Sequence, residues 1–135
     1  MNKYKAKRVE YDGHVFDSIV ERDYYIFLKN NVLVEHIELQ PRYELVPAFK
    51  KQRKMEYIAD FEVTYTNGSV EVIDIKGMAT ETAKVKAKLF RYMYQDKTLI
   101  WICRAPKYYQ EQHGAEWIDY DELKKVRRQR KKERS

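Results

Sequence analysis

The segment 57–76 constrains the fold more than any other part of the chain. Two strongly strand-like runs, 57–65 (alternating apolar and polar from Ala59 to Tyr65) and 70–76, flank Thr66-Asn67-Gly68-Ser69. Period-two alternation marks a half-buried strand, and Asn-Gly between two such runs is the strongest short-range signal for a hairpin. An antiparallel pair must therefore sit at the centre of the fold. Its register follows from the turn. A two-residue Asn67-Gly68 turn makes paired positions sum to 135 and puts Asp60 and Asp74 on opposite faces. A three-residue loop, Thr66-Asn67-Gly68 with Gly68 left-handed, makes the sum 134. Asp60 then faces Asp74, Phe61 faces Ile73, and Ala59, Phe61, Val63, Ile73 and Ile75 gather on one side. Burial of that apolar set favours the second register, with positive φ at Gly68 and both carboxylates within reach of one metal ion.

The flanking segments supply cover for this pair. Asp12-Gly13 between short β-prone runs suggests a small hairpin over 7–16. Ser18 with Glu21 three positions later matches a capping box, and Val20, Tyr24, Phe27 and Leu28 form a helical stripe that stops near Asn30-Asn31. Residues 37–40 and 43–46 read as one extended segment bent at Pro41 and ended by Pro47. Lys50, Lys51, Arg53 and Lys54 fall in a loop. A second helix is expected over 82–95, with Val85, Leu89, Tyr92 and Met93 inward. Residues 98–104 form a short apolar strand, as in the buried middle of a sheet. Asp119 or Asp121 caps a last helix that includes Leu123 and Val126.

The resulting order is helix, three antiparallel strands, helix, strand. A strand that follows a helical crossover lies parallel to a neighbour, so the expected class is α/β: a mixed sheet flanked by helices. A chain of 135 residues suits one domain, expected over 1–123, followed by a basic tail, 124–135. That tail has eight basic residues and one acid, a net +7, so the remainder of the chain carries −1 against the overall +6. The tail reads as a solvated helix end or a disordered arm, solubilising or drawn to nucleic acid. No apolar run approaches a membrane span, the start lacks the apolar stretch of a signal peptide, and Cys103 is the single cysteine. The expected setting is a reducing cytoplasm with no membrane partner.

The chemistry concentrates in Tyr57-Ile58-Ala59-Asp60-Phe61 and Ile73-Asp74-Ile75-Lys76-Gly77. An acid inside an apolar strand is costly unless compensated, and here two stand on adjacent strands. Asp74 and Lys76 project from one face. Paired carboxylates suit Mg²⁺, and a neighbouring lysine can orient or deprotonate the water that attacks phosphorus. The plainer alternative is a buried Asp74–Lys76 ion pair. Removal of Asp74 is expected to relieve carboxylate repulsion, so that the metal-free melting temperature holds or rises.

Asp60, about a dozen residues and a turn, then Asp74-Ile75-Lys76-Gly77, resembles the motif of the PD-(D/E)XK nuclease superfamily. The element order is similar to that superfamily's restriction-endonuclease-like core, and the resemblance spans roughly 16–104. Small phage and prophage members, and the cleavage subunit of heteromeric transposases, are the nearest in character. Ala59 stands where the name-giving proline would be, and the second acid is aspartate rather than the commoner glutamate. The resemblance implies Mg²⁺- or Mn²⁺-dependent cleavage of DNA in a bacterial host or its phage, commonly by a homodimer. It also implies Asp60, Asp74 and the Ile75 carbonyl as metal ligands, Lys76 as the catalytic lysine, and Glu21 as an extra carboxylate. Glu21 serves equally as a helix cap.

Lys84, Lys88, Arg91 and Gln95 form a stripe suited to gripping phosphates, or simply a solvated face. Gln40 is a candidate contact to metal water or DNA, and equally the end of a strand. The twelve tyrosines are stacking platforms or core. With no sequence-reading module visible, structure-selective cleavage of branched or recombining phage DNA, as by a Holliday junction resolvase, is the expected activity. A non-catalytic DNA-binding module on the same fold, or a protein-interaction subunit without a metal site, are the rival readings.

Overall fold

The computed structural model describes residues 7–134; the first six residues of the expected domain and the last of the expected tail lie outside it. The order is β1 (Val9–Tyr11), β2 (His14–Phe16), α1 (Ile19–Lys29), β3 (Val34–Leu39), β4 (Arg42–Val46), β5 (Met55–Ile58), β6 (Phe61–Tyr65), β7 (Val70–Ile75), α2 (Glu81–Met93), β8 (Thr98–Arg104), α3 (Lys107–His113), β9 (Trp117–Asp119) and α4 (Tyr120–Arg134). A five-stranded sheet in the order β3-β6-β7-β8-β9 forms the centre, with β1-β2 and β4-β5 as separate two-stranded pairs. Pairs β3-β6, β6-β7 and β8-β9 are antiparallel, while β7-β8 is parallel, as the helical crossover demands. This is the α/β class with a mixed sheet.

The central hairpin adopts the register in which pairs sum to 134: Phe61 faces Ile73 and Thr64 faces Val70. Gly68 has φ +87°, which lets its N–H reach the Tyr65 carbonyl (2.8 Å) while Tyr65 N–H reaches Ser69 (2.9 Å). Asn67 Oδ1 accepts from both Ser69 N–H and its hydroxyl and fixes the loop. A bulged three-residue connection wins because it seats Phe61, Val63 and Ile73 together in the core, all at most 1% exposed.

Two expectations about strands need correction. Residues 37–40 and 43–46 do not form one bent segment: β3 belongs to the main sheet and β4 pairs with β5. Gln40 takes a left-handed φ of +49°, and Pro41 follows without an N–H, so the chain leaves the sheet there. Likewise 57–65 is two strands, broken at Ala59 and Asp60. The break reverses the alternation. Tyr57 and Ala59 pack against α2 with Val72, Phe90 and Trp101, whereas Phe61 and Val63 pack against α1 with Tyr24, Leu28 and Ile73. Ala59 is therefore on the face opposite to the one expected.

The helices show a similar mixture. Ser18 caps α1, its hydroxyl accepting from Glu21 N–H at 3.1 Å, and Asn30 ends it. Tyr24, Tyr25 and Leu28 are buried, but Phe27, expected inward, is 45% exposed. In α2 the buried positions are Ala87 and Phe90, flanked by Ala83 and Tyr94. Val85, Tyr92 and Met93 face outward, and only Leu89 of the expected stripe touches the core. The helix carries two apolar stripes, and small alanines allow the close approach that the sheet requires. Asp119 is the cap of α4, accepting from Asp121 and Glu122 N–H. The helix runs unbroken through 124, with Leu123 buried and Val126 packed against Cys103, Ala105 and Ile118. The elements α3 and β9 had no clear sequence signal. No helix among the described residues is long and apolar enough to cross a membrane.

Candidate active site

The site is built where the chain crosses from the small sheet to the large one. Asp60 stands in the gap between β5 and β6, and Asp74 is the next-to-last residue of β7. Each aspartate takes a backbone N–H from the other's strand: Asp60 N–H donates to Asp74 Oδ1 (2.9 Å), and Ile75 N–H donates to Asp60 Oδ2 (2.8 Å). Asp60 N–H is shared with the Ile73 carbonyl (3.2 Å), so the carboxylates reinforce the backbone ladder at the end of the hairpin. Asp60's own backbone remains tied, its carbonyl accepting from Gln40 N–H at 3.0 Å.

Asp74 is 3% exposed, the one charged residue in the buried class among the described residues. Burial of a carboxylate is tolerable only when donors surround it, and three do. The Tyr57 hydroxyl donates to Oδ2, Asp60 N–H donates to Oδ1, and Lys76 Nζ lies 3.5 Å from Oδ2. Tyr57 is itself held by Trp101, whose Nε1 donates to the hydroxyl at 2.9 Å. Burial and the Asp74 charge push the Tyr57 hydroxyl well above its usual range, so it stays a donor. Lys76 Nζ sits 5.1 Å from the centre of the Trp101 ring, a cation–π contact that limits its swing. Tyr57 and Trp101 escaped the sequence reading. Trp101 pairs with Asp74 in parallel register, which alternation alone does not disclose.

Asp60 has the opposite surroundings. Burial raises its carboxyl first, and the charges of Glu21 and Asp74 raise it further, to about 8. Glu21 is also raised, chiefly by burial, though its hydrogen bond with Asp60 opposes the shift. Burial and the crowding of like charges thus favour the protonated carboxyl at Asp60. Glu21 Oε2 additionally accepts from Asp17 N–H at 3.3 Å, so it is partly a cap and partly a partner of Asp60. Both acids line a cavity of about 220 Å³ with His14, Phe16 and Gln40. Gln40 is therefore beside Asp60, although its side-chain amide turns to Asp17 Oδ2 at 3.5 Å.

Among the described residues, no group of three or more His, Cys, Asp or Glu forms a ready metal cage. Glu21 does not complete a three-carboxylate set with the aspartates as it stands. The donor chemistry nevertheless fits a hard divalent cation: Asp60 lies within the fields of both Glu21 and Asp74, all three oxygen donors, and the Ile75 carbonyl lies between Asp74 and Lys76 in the chain.

The basic stripe of α2 divides. Lys84 pairs with Glu81 at 3.2 Å, Lys88 is exposed, and Arg91 Nη2 donates to the Leu99 carbonyl at 3.3 Å. Lys84 and Arg91 share a groove of about 290 Å³ with Trp101, Tyr120 and Lys124, so two of the three cations border the wall behind Lys76.

The chain belongs to the family described as protein of unknown function DUF1064, the match covering residues 1–110. No curated protein and no solved structure matches it.

Proposed function

We propose that this DUF1064 protein is a metal-dependent endonuclease of the PD-(D/E)XK kind, with a restriction-endonuclease-like core, acting on branched or recombining DNA. The observation that supports this reading most is the interlock of Asp60 and Asp74, with Lys76 on the Asp74 face, at the end of the central hairpin. Asp60, Asp74 and the Ile75 carbonyl would hold Mg²⁺ or Mn²⁺, with Glu21, which lines the same cavity as Asp60, as a further carboxylate. The cation, when bound, polarises a phosphate oxygen and acidifies water. Lys76 orients the attacking water at Nζ and stabilises charge developing on the phosphate. Trp101 limits Lys76 to that position, and Tyr57 fixes the Asp74 carboxylate. Lys84, Lys88 and Arg91 bind the backbone of the substrate strand.

A second reading is a DNA-binding module without catalysis. Its support is Asp74, whose oxygens are satisfied by Tyr57, Asp60 and Lys76 with no metal required. One experiment separates the two. Linear, flapped and four-way DNAs are incubated with the protein in Mg²⁺, Mn²⁺ or EDTA, alongside Lys76→Ala. Cleavage that needs metal and Lys76 supports the nuclease, with branched DNAs cut fastest. Binding without cleavage in either metal supports the module.

A further inference from the structure

Lys76 opens into a cavity of about 340 Å³ at the C-terminal ends of β7 and β8, lined by Ser18, Val20, Ile75, Gly77, Cys103, Arg104, Leu123 and Arg127 as well as the lysine itself. Three of these residues are cations and none is an acid. The cations come from three elements: Lys76 just beyond β7, Arg104 at the end of β8, and Arg127 on α4. Lys76 and Arg104 are each paired with an aspartate outside this lining, Asp74 and Asp23, whereas Arg127 makes no salt bridge among the described residues and brings the charge that an anion would answer.

The groups are not equally free to answer that anion. Asp23 holds Arg104 through Nη2, and the guanidinium rests 4.5 Å from the centre of the Trp117 ring. Its direction is thus fixed before any ligand arrives. Arg127 is exposed, on the turn of α4 that follows the buried Leu123. One turn earlier on the same helix, Lys124 enters the groove of Lys84 and Arg91. That second groove also contains Asp119 and Asp121, so its excess charge is smaller. Trp101 links the two concavities, lining the groove while carrying Lys76 against its ring.

We propose that the cavity around Lys76 is a seat for a DNA backbone phosphate beside the one cleaved. Arg127 is its mobile ligand and Arg104 its fixed one, and α4 continues the contact through Lys124 to the α2 groove. The proposal rests on the reading that this protein acts on DNA. The cavity has no aromatic ring in its lining on which a base could stack, and its polar groups are Ser18 and the three cations. Recognition of the backbone, blind to sequence, is what such a lining supports. Lys76 and Arg104 lie within the residues matched by the family, and α4 lies beyond them.

The test uses the full-length protein and a fluorescein-labelled four-way DNA in Ca²⁺, followed by anisotropy across a salt series. The variants are Arg127→Ala, Arg127→Lys and the charge-matched control Lys51→Ala, from the loop between β4 and β5. Wild type and all variants are then assayed for cleavage in Mg²⁺. Arg127→Ala is expected to weaken binding by roughly tenfold and to lower the logarithmic salt slope by about 0.9, the loss of one phosphate contact. Arg127→Lys should keep the slope, and Lys51→Ala should change neither quantity. If Arg127→Ala matches Lys51→Ala while wild type binds and cleaves, the phosphate seat is overturned and the nuclease stands. If Arg127→Ala loses binding as expected but wild type never cleaves, the seat stands without the nuclease. Absence of wild-type binding overturns both.

Discussion

Asp74 and Asp60 are neighbours across one pair of strands, yet Asp74 is ringed by donors and Asp60 by acids. The first has the Tyr57 hydroxyl, the Asp60 amide and the Lys76 ammonium about it. The second has a single amide, from Ile75, against the charges of Glu21 and Asp74. The Asp74 half is complete as a piece of folded protein. In the Asp60 half, burial and acidic neighbours favour a protonated carboxyl, and under the proposed function a divalent cation would take the place of that proton. The difference gives two residues of the same type separate energetic roles: Asp74 is satisfied within the fold, and under the proposed function Asp60 is the one that a cation would satisfy.

Asp74→Ala is the harshest way to break this comparison. It strands the buried Tyr57 O–H donor and removes the ion-pair partner of Lys76, while the Asp60 amide keeps the Ile73 carbonyl (3.2 Å), so the metal-free protein should lose about 1–3 kcal/mol. Removal of Asp74 still relieves its repulsion of Asp60, as expected from sequence, but the donor left unpaired should outweigh that gain, so the melting temperature should fall rather than hold. Chemical denaturation in EDTA measures it, and an unchanged midpoint would show that the donors find other partners. Metal-dependent cleavage should vanish as well.

Asp60→Asn should act in the other direction. The Asp60 carboxyl is raised from 3.8 to about 8 in the folded protein. A group with a raised folded pKa contributes stability that is full below its unfolded value and is lost as pH rises through the folded one. Metal-free wild type should therefore weaken between about pH 4 and pH 8. The asparagine keeps the acceptor for Ile75 N–H but cannot ionise. Its melting temperature at pH 8 should exceed that of wild type by a few degrees, with the two converging near pH 4. Parallel melting curves across that range would mean that Asp60 carries no such strain.

Tyr57→Phe sharpens the comparison with the least disturbance. One donor to Asp74 goes and Trp101 Nε1 loses its acceptor, at a cost of about 1 kcal/mol. Cleavage should slow without being abolished, since Asp60 N–H and Lys76 still hold the carboxylate. A drop as large as that of Lys76→Ala would make the hydroxyl part of the chemistry.

Much of this contrast was legible in the sequence, and its limits have physical causes. Asn67-Gly68 with the apolar set around it gave the hairpin register, because only one pairing buries Phe61 and Ile73 together. The gap at Ala59 and Asp60 was hidden, since apolar and polar residues alternate straight through it. The phase of α2 was misread because Val85, Leu89, Tyr92 and Met93 are as regular as Ala83, Ala87, Phe90 and Tyr94. Bulk made the outer stripe the more conspicuous of the two. Tyr57 and Trp101 depend on how β8 aligns with β7, a long-range register on which local pattern is silent. The double service of Glu21, to Asp17 and to Asp60, needed the helix placed against the sheet.

The most direct test is the thermal shift produced by Mn²⁺ near pH 8 in wild type, Asp60→Asn and Lys76→Ala, with cleavage recorded on the same samples. Expected is a clear rise in melting temperature for wild type and for Lys76→Ala, none for Asp60→Asn, and cleavage by wild type alone. An equal shift in Asp60→Asn, or no shift in wild type, would contradict the assignment of the metal to the Asp60 half.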